Sequence, residues 1–105
     1  MAGEKPWQVD TANRVHGLQV ILLKRVYVFP WTQFLYAEGT TEEVLAVFSS
    51  HDLLVKGSNL GPLLADFASQ QITVLKEPAR TDRFTGEDGP RINELDVREV
   101  VREWP

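Results

Sequence analysis

With 105 residues, no cysteine and a net charge of -4 (pI about 5.1), the chain is long enough for one self-sufficient domain. The lack of cysteine excludes disulfide frameworks, thiolate metal sites and cysteine nucleophiles, and fits a reducing compartment. The acidic balance argues against a general nucleic-acid binder, since phosphate contacts need clustered Lys and Arg, and Lys24-Arg25 is the only adjacent basic pair.

Met1 to Asp10 has no apolar stretch that could serve as a signal peptide, and apolar runs such as Val20 to Leu23 are far too short to span a bilayer. A cytoplasmic protein without membrane contact is expected. Residues 1–13 are polar around a single large apolar residue, Trp7, and read as a mobile lead-in, with Trp7 open to two readings, a packing anchor or an idle exposed ring. From Val15 the pattern turns to strand. Leu18, Val20 and Leu22 alternate with Gln19, Ile21 and Leu23, Lys24-Arg25 interrupts, and Val26 to Phe29 follows with strong β-propensity. Two strands joined by a short turn account for this, although the turn lacks an Asn-Gly or Asp-Gly pair.

Pro30 cannot donate to a ladder, so Phe29-Pro30-Trp31 marks an edge, a bulge or a corner, and Thr32 to Glu38 resumes as a strand. The string around PWTQ resembles a segment of vertebrate β-type globins over about a dozen residues. A globin needs about eight helices and a haem-ligating histidine, so we take this match as chance.

The densest apolar content lies between Val44 and Ile72. Val44 to Phe48, a polar turn at Ser49 to Asp52, and Leu53 to Lys56 read as a hairpin; Thr40 and Glu43, at capping-box spacing, leave a short helix over 40–48 as the alternative. A helix is expected from about Leu60, capped by Ser58 or Asn59, with Pro62 in its first turn and Leu60, Leu63, Leu64, Phe67 and Ile72 on one stripe. Ile72 to Leu75 then has strand character.

Beyond Glu77 the composition shifts: Glu77 to Pro105 holds eight acidic and five basic residues, and Pro78 to Arg91 includes Gly86, Gly89 and Pro90 with only Phe84 as a large apolar group. Arg91 to Pro105 reads equally as a helix with Val97, Val100, Val101 and Trp104 on one stripe, or as a strand from Ile92 to Val101. Either way its apolar face must dock on the domain, a second subunit or another protein.

Few constellations carry chemistry. Ser49, Ser50, His51 and Asp52 bring together the residue types of a triad, but neighbours on a turn rarely converge, and local turn bonding explains them better. His16 and His51 lack the spacing of a metal site, and no cofactor is expected. KGSNLG, with Gly57 and Gly61 at a helix start, lacks the phosphate-loop pattern. Tyr27, Phe29, Trp31, Phe34 and Tyr36 form an aromatic band without interleaved basic residues, which suits core packing better than base stacking.

The combination VYVFPWTQFLYAEG, VFSSHDLLVKG and LLADFASQQITVLKEPAR resembles small single-domain bacterial proteins of uncharacterised function, over residues 15–83. The resemblance brings no catalytic or binding motif, and it favours the strand reading of Val44 to Phe48. The expected fold is α+β, a curled antiparallel sheet or partly open barrel of about five to six strands with one covering helix. It divides into a lead-in (1–13), a core (14–77) and an acidic extended arm (78–105). The expected function is a non-enzymatic protein-interaction or oligomerisation domain, probing its partner through Val97, Val100, Val101 and Trp104 or through an exposed sheet edge. The alternative is a small-ligand-binding protein or minor enzyme with a pocket near Trp31, Tyr36 and His51.

Overall fold

Alternating apolar residues in two short segments build the first hairpin. A computed structural model of the protein describes residues 6–78 and 89–101. Strands β2 (Gly17–Ile21) and β3 (Val26–Pro30) pair antiparallel, from Gly17↔Pro30 to Ile21↔Val26. The Leu22 N–H donates to the Arg25 carbonyl at 2.8 Å, leaving Leu23 and Lys24 as the tip, and the Trp31 N–H donates to the His16 carbonyl at 3.0 Å. Leu18, Val20 and Phe29 are buried on one face, while Gln19, Val26 and Val28 occupy the other.

Pro30 is a corner. Lacking an N–H, it closes the ladder, and one 3-10 turn over Trp31–Gln33 carries the chain into a second sheet. Trp31 is buried at this corner, its ring N–H donating to the Ile72 carbonyl at 3.3 Å.

The second sheet is antiparallel throughout, in the order β4 (Phe34–Gly39), β5 (Glu43–Phe48), β6 (His51–Ser58), β8 (Arg91–Glu99). Val44, Ala46 and Phe48 alternate inward and meet Val55 and Leu53 across the ladder. The Thr40 to Glu43 signal serves the β4–β5 turn: the Thr40 hydroxyl accepts the Glu42 N–H at 3.1 Å, and the Thr40 N–H donates to the Glu43 carbonyl at 2.7 Å. The connection from β5 to β6 is shorter than the expected four-residue turn, because His51 and Asp52 already pair in β6.

The helix α1 (Gly61–Ser69) buries Leu63 and Phe67, with Pro62 in its first turn. Neither Ser58 nor Asn59 caps it. Leu60 holds the cap position with its side chain in the core, Asn59 sits at φ 54°, and the Leu60 N–H is satisfied by the Thr41 carbonyl at 2.7 Å. Burying a leucine outweighs a capping hydrogen bond when a neighbouring turn satisfies the backbone. Ile72, which the sequence sets both at the end of the helix stripe and at the start of a strand, opens β7 (Ile72–Lys76) and is buried there.

The first sheet runs β1 (Gln8–Val9), β7, β2, β3. It is mixed, because β7 returns from the second sheet and the helix to lie parallel to β2, with Gln19↔Val74 and Ile21↔Lys76. The described residues thus form an α+β fold with one helix, as expected, but their strands make two four-stranded sheets that do not close into a barrel, in place of the one curled antiparallel sheet or partly open barrel of about five to six strands expected. No helix among the described residues is long and apolar enough to cross a membrane.

Both ends of the described chain are more ordered than the sequence suggests. Trp7 is buried, its ring N–H donates to Asp66 Oδ2 on α1 at 2.8 Å, and β1 pairs with β7, so residues 6–9 are docked rather than a mobile lead-in. At the other end, Arg91–Glu99 is a strand whose Ile92 and Leu95 enter the core, so this part of the expected arm belongs to the second sheet. Gly57 makes that possible. The β6–β8 register shifts at Lys56/Gly57, and a Cβ on Gly57 would stand 1.9 Å from the Arg91 carbonyl oxygen.

One exposed turn carries a pH signature. The Asp10 carboxylate accepts the N–H of Ala12 (2.9 Å), the N–H of Asn13 (3.1 Å) and the Asn13 side-chain amide (3.3 Å), which together hold its pKa below the ordinary value. Its contribution to stability is therefore present above the unfolded carboxyl pKa and is lost as pH falls through the folded one. In carboxyl-carbon NMR titration, Asn13→Ala is expected to move the Asp10 midpoint upward, but not fully to the ordinary value, because the two backbone donors remain. An unchanged midpoint would show that the side-chain amide contributes nothing.

Candidate interaction surface

The structure separates the three residues expected to line a pocket. Trp31 is buried at the corner. His51 faces the core side at the start of β6, its ring 5.5 Å from Tyr27 and 5.3 Å from Phe29, with Nδ1 2.7 Å from Ser50 Oγ. Phe29 and Phe48 stand between these two, with Phe29 4.8 Å from Phe48 and Phe48 6.0 Å from Trp31. Tyr36 pairs with Val47 on the opposite, outer face of the second sheet and is half exposed. The pleat that turns Ala37 and Ala46 inward turns Tyr36 outward, so no shared pocket forms.

The Ser-Ser-His-Asp run does not converge either. The Ser49 hydroxyl donates to Gln33 Oε1, Ser50 meets His51, and Asp52, the next residue along β6, lies on the other face beside Val47 and Arg98. Of the aromatic band, Phe29, Trp31 and Phe34 pack with Phe48 and Phe67, and Tyr27 stacks on Phe29. No three His, Asp or Glu side chains among the described residues are placed to hold a metal ion.

The C-terminal candidates also part company. Val97 packs against the core, Val100 is half-buried with its N–H on the Ser50 carbonyl at 2.9 Å, and Val101 is exposed; Trp104 lies outside the described residues. The apolar face of Arg91–Glu99 is thus used within the chain, and what it leaves open is a sheet edge.

Among the described residues the two sheets have four edge strands, which differ in how they are protected against pairing. The β1 edge is two residues long. The β4 edge is bulged between Phe34 and Tyr36 and carries Glu38. The β8 edge bears Arg91, Glu94, Asp96, Arg98 and Glu99. The β3 edge is five residues long and none of them is charged.

The hydrogen-bond phase shows which β3 groups are open. The Leu22–Arg25 and His16–Trp31 bonds fix the bonded pairs of the β2–β3 ladder as Val20 with Tyr27 and Leu18 with Phe29. The intervening residues Val26 and Val28 therefore aim both N–H and C=O away from β2, and Pro30 aims its carbonyl the same way. The Val26 and Val28 side chains are 52% and 69% exposed. On that outer face they continue two cross-strand rows, Val28–Gln19–Val74 and Val26–Ile21–Lys76, with Leu23 exposed at the tip.

The uncharged run Val26 to Phe29 is visible in the sequence, but its edge position is not, because β2 finds its second neighbour only in β7. Compared with protein-family models, with curated proteins and with solved structures, the chain matches none.

Proposed function

We propose that this protein is a non-enzymatic protein-interaction domain that captures an extended segment by strand addition along β3. The observation that carries the reading is the contrast among the edges of the described residues: three are shortened, bulged or charged, and β3 presents an uncharged row of outward-facing backbone groups flanked by exposed valines. In strand addition, main-chain hydrogen bonds supply affinity and alternate side chains supply specificity. Here the alternate residues are Val26 and Val28 on the outer face, with Tyr27 and Phe29 on the inner one.

Amide hydrogen exchange tests this with a capped heptapeptide of alternating valine and threonine as probe. The peptide is expected to slow exchange at Val26 and Val28 while leaving Val20 and Tyr27, already bonded within the hairpin, unchanged. No slowing at Val26 and Val28 at saturating peptide would overturn strand addition at this edge.

A further inference from the structure

We propose that the segment this edge takes is the β3 strand of a second copy of the chain, antiparallel, with Val28 on the two-fold axis. The inference rests on the strand-addition reading and names its partner. In this register Val28 faces Val28 of the partner subunit, Tyr27 faces Phe29 of the partner subunit, and Val26 faces Pro30 of the partner subunit. Every facing pair is uncharged, and each joins residues that already share a sheet face.

The open backbone groups select this register. Val28 carries both its N–H and C=O on the free edge, so Val28 and its mate exchange two hydrogen bonds at the axis, while each Val26 N–H meets a Pro30 carbonyl. The missing Pro30 N–H falls at the ends of the new ladder, where it leaves one Val26 carbonyl at each end to water. Centring on Phe29 would instead face Val28 with Pro30 and lose an axial donor from each bonded pair. Centring on Tyr27 would set Arg25 against Phe29 and draw the two Lys24-Arg25 tips together. With Val28 at the axis the two Arg25 residues stand about 20 Å apart, six residues at about 3.4 Å each. The first sheet of each copy would join into one continuous eight-stranded sheet, with a valine stripe across the seam.

An isologous interface sets the same patch against itself, so like charges must not face each other across the axis. On the β8 edge an axis at Leu95 sets Glu94 against Asp96, whereas the Val28-centred β3 register faces no charge with another. A five-residue ladder is small beside standard interfaces, so the dimer should be a weak one that forms at high protein concentration.

The chain has no cysteine, so a single introduced thiol reports on the register. Val28 is largely exposed, and Val28→Cys is compatible with the fold. Across the axis the two Cα atoms of a bonded antiparallel pair lie about 5.5 Å apart, inside the range that a disulfide spans. Val26 and its mate are offset by four residues, about 13 Å, so V26C serves as the control. The expected result is a V28C disulfide dimer under mild oxidation with V26C remaining monomeric. In parallel, the unsubstituted chain should show a sedimentation mass rising toward twice the monomer with concentration, and V28K should abolish that rise by placing two ammonium groups across the axis.

Cross-linking of V26C as fast as V28C would overturn the register. A reduced V28C together with a monomeric chain at about 1 mM would overturn self-pairing altogether. The heptapeptide experiment then separates the two readings. Slowed exchange at Val26 and Val28 leaves an edge that serves a different protein, and unchanged exchange removes the edge as a site.

Discussion

Phe48→Ala is expected to remove about 3–5 kcal/mol of folding stability, out of the roughly 5–15 kcal/mol typical of a domain. Phe48 is fully buried at the end of β5, where the chain is about to turn into β6, and it is the ring through which the two sheets and the corner meet. Phe29 of the first sheet lies 4.8 Å away, Phe34 at the start of β4 lies 5.4 Å away, and Trp31 in the 3-10 turn lies 6.0 Å away. Phe67 closes the cluster from the helix, 5.8 Å from Phe34 and 5.9 Å from Trp31. Truncation at the centre opens a void lined by groups from four separate elements. Those elements are held in place by the sheet ladders and by the helix and corner packed on them, and cannot all move inward to fill it, so relaxation recovers little.

Urea denaturation followed by far-UV circular dichroism reads this effect as a fall in midpoint at nearly constant slope. Phe48→Leu keeps most of the volume and is expected to lose much less. A Phe48→Ala loss below about 1 kcal/mol, the centre of ordinary mutational effects, would show that the inter-sheet packing is plastic at this point.

The elements legible in the sequence are those whose information is local. The β2–β3 and β5–β6 hairpins follow from alternation across a short polar break, α1 follows from the spacing of Leu60, Leu63 and Phe67, and the corner follows from Pro30. What was not legible depends on partners far along the chain. Division into two sheets turns on β7 lying parallel to β2, and nothing in Ile72–Lys76 says which strand it will join. For Arg91–Glu99 the capping-box spacing of Asp96 and Glu99 and the alternation of Leu95 and Val97 are equally good local signals. The open side of β6 decides between them by offering a ladder from His51 to Ser58.

The candidate site divides the same way. Trp31, Tyr36 and His51 are all ring residues that could line a pocket, but the pleat sends Tyr36 to the outer face while Trp31 is enclosed. The lack of charge in Val26 to Phe29 was plain in the sequence. Its significance depends on β3 ending a sheet whose order was not.

Trp7→Ala is the substitution that decides between the two uses of Trp7 that the sequence leaves open, anchor or idle ring. If residues 1–13 were a mobile lead-in, removing the ring would change stability by less than about 0.5 kcal/mol, as for surface substitutions generally. The structure predicts instead a loss of about 3–5 kcal/mol. Trp7 is only 4% exposed and is part of the same core as Leu63 and Phe67 of the helix. Its ring N–H donates to Asp66 Oδ2, which ties the first described strand to the middle of α1.

The loss should spread to β1, a two-residue strand that cannot hold its place by its ladder alone. The Asp10 N–H, bonded to the Gln71 carbonyl at 3.0 Å, is therefore expected to exchange faster in W7A. Trp7→Phe separates the two contributions. It keeps most of the buried ring area and removes the donor, so its loss should be near the 1 kcal/mol or so of a single hydrogen bond. W7F matching W7A would place the stabilisation in the Asp66 contact, whereas W7F close to the unsubstituted chain would place it in burial. A neutral W7A with unchanged exchange at Asp10 would return residues 6–9 to the lead-in that composition suggested.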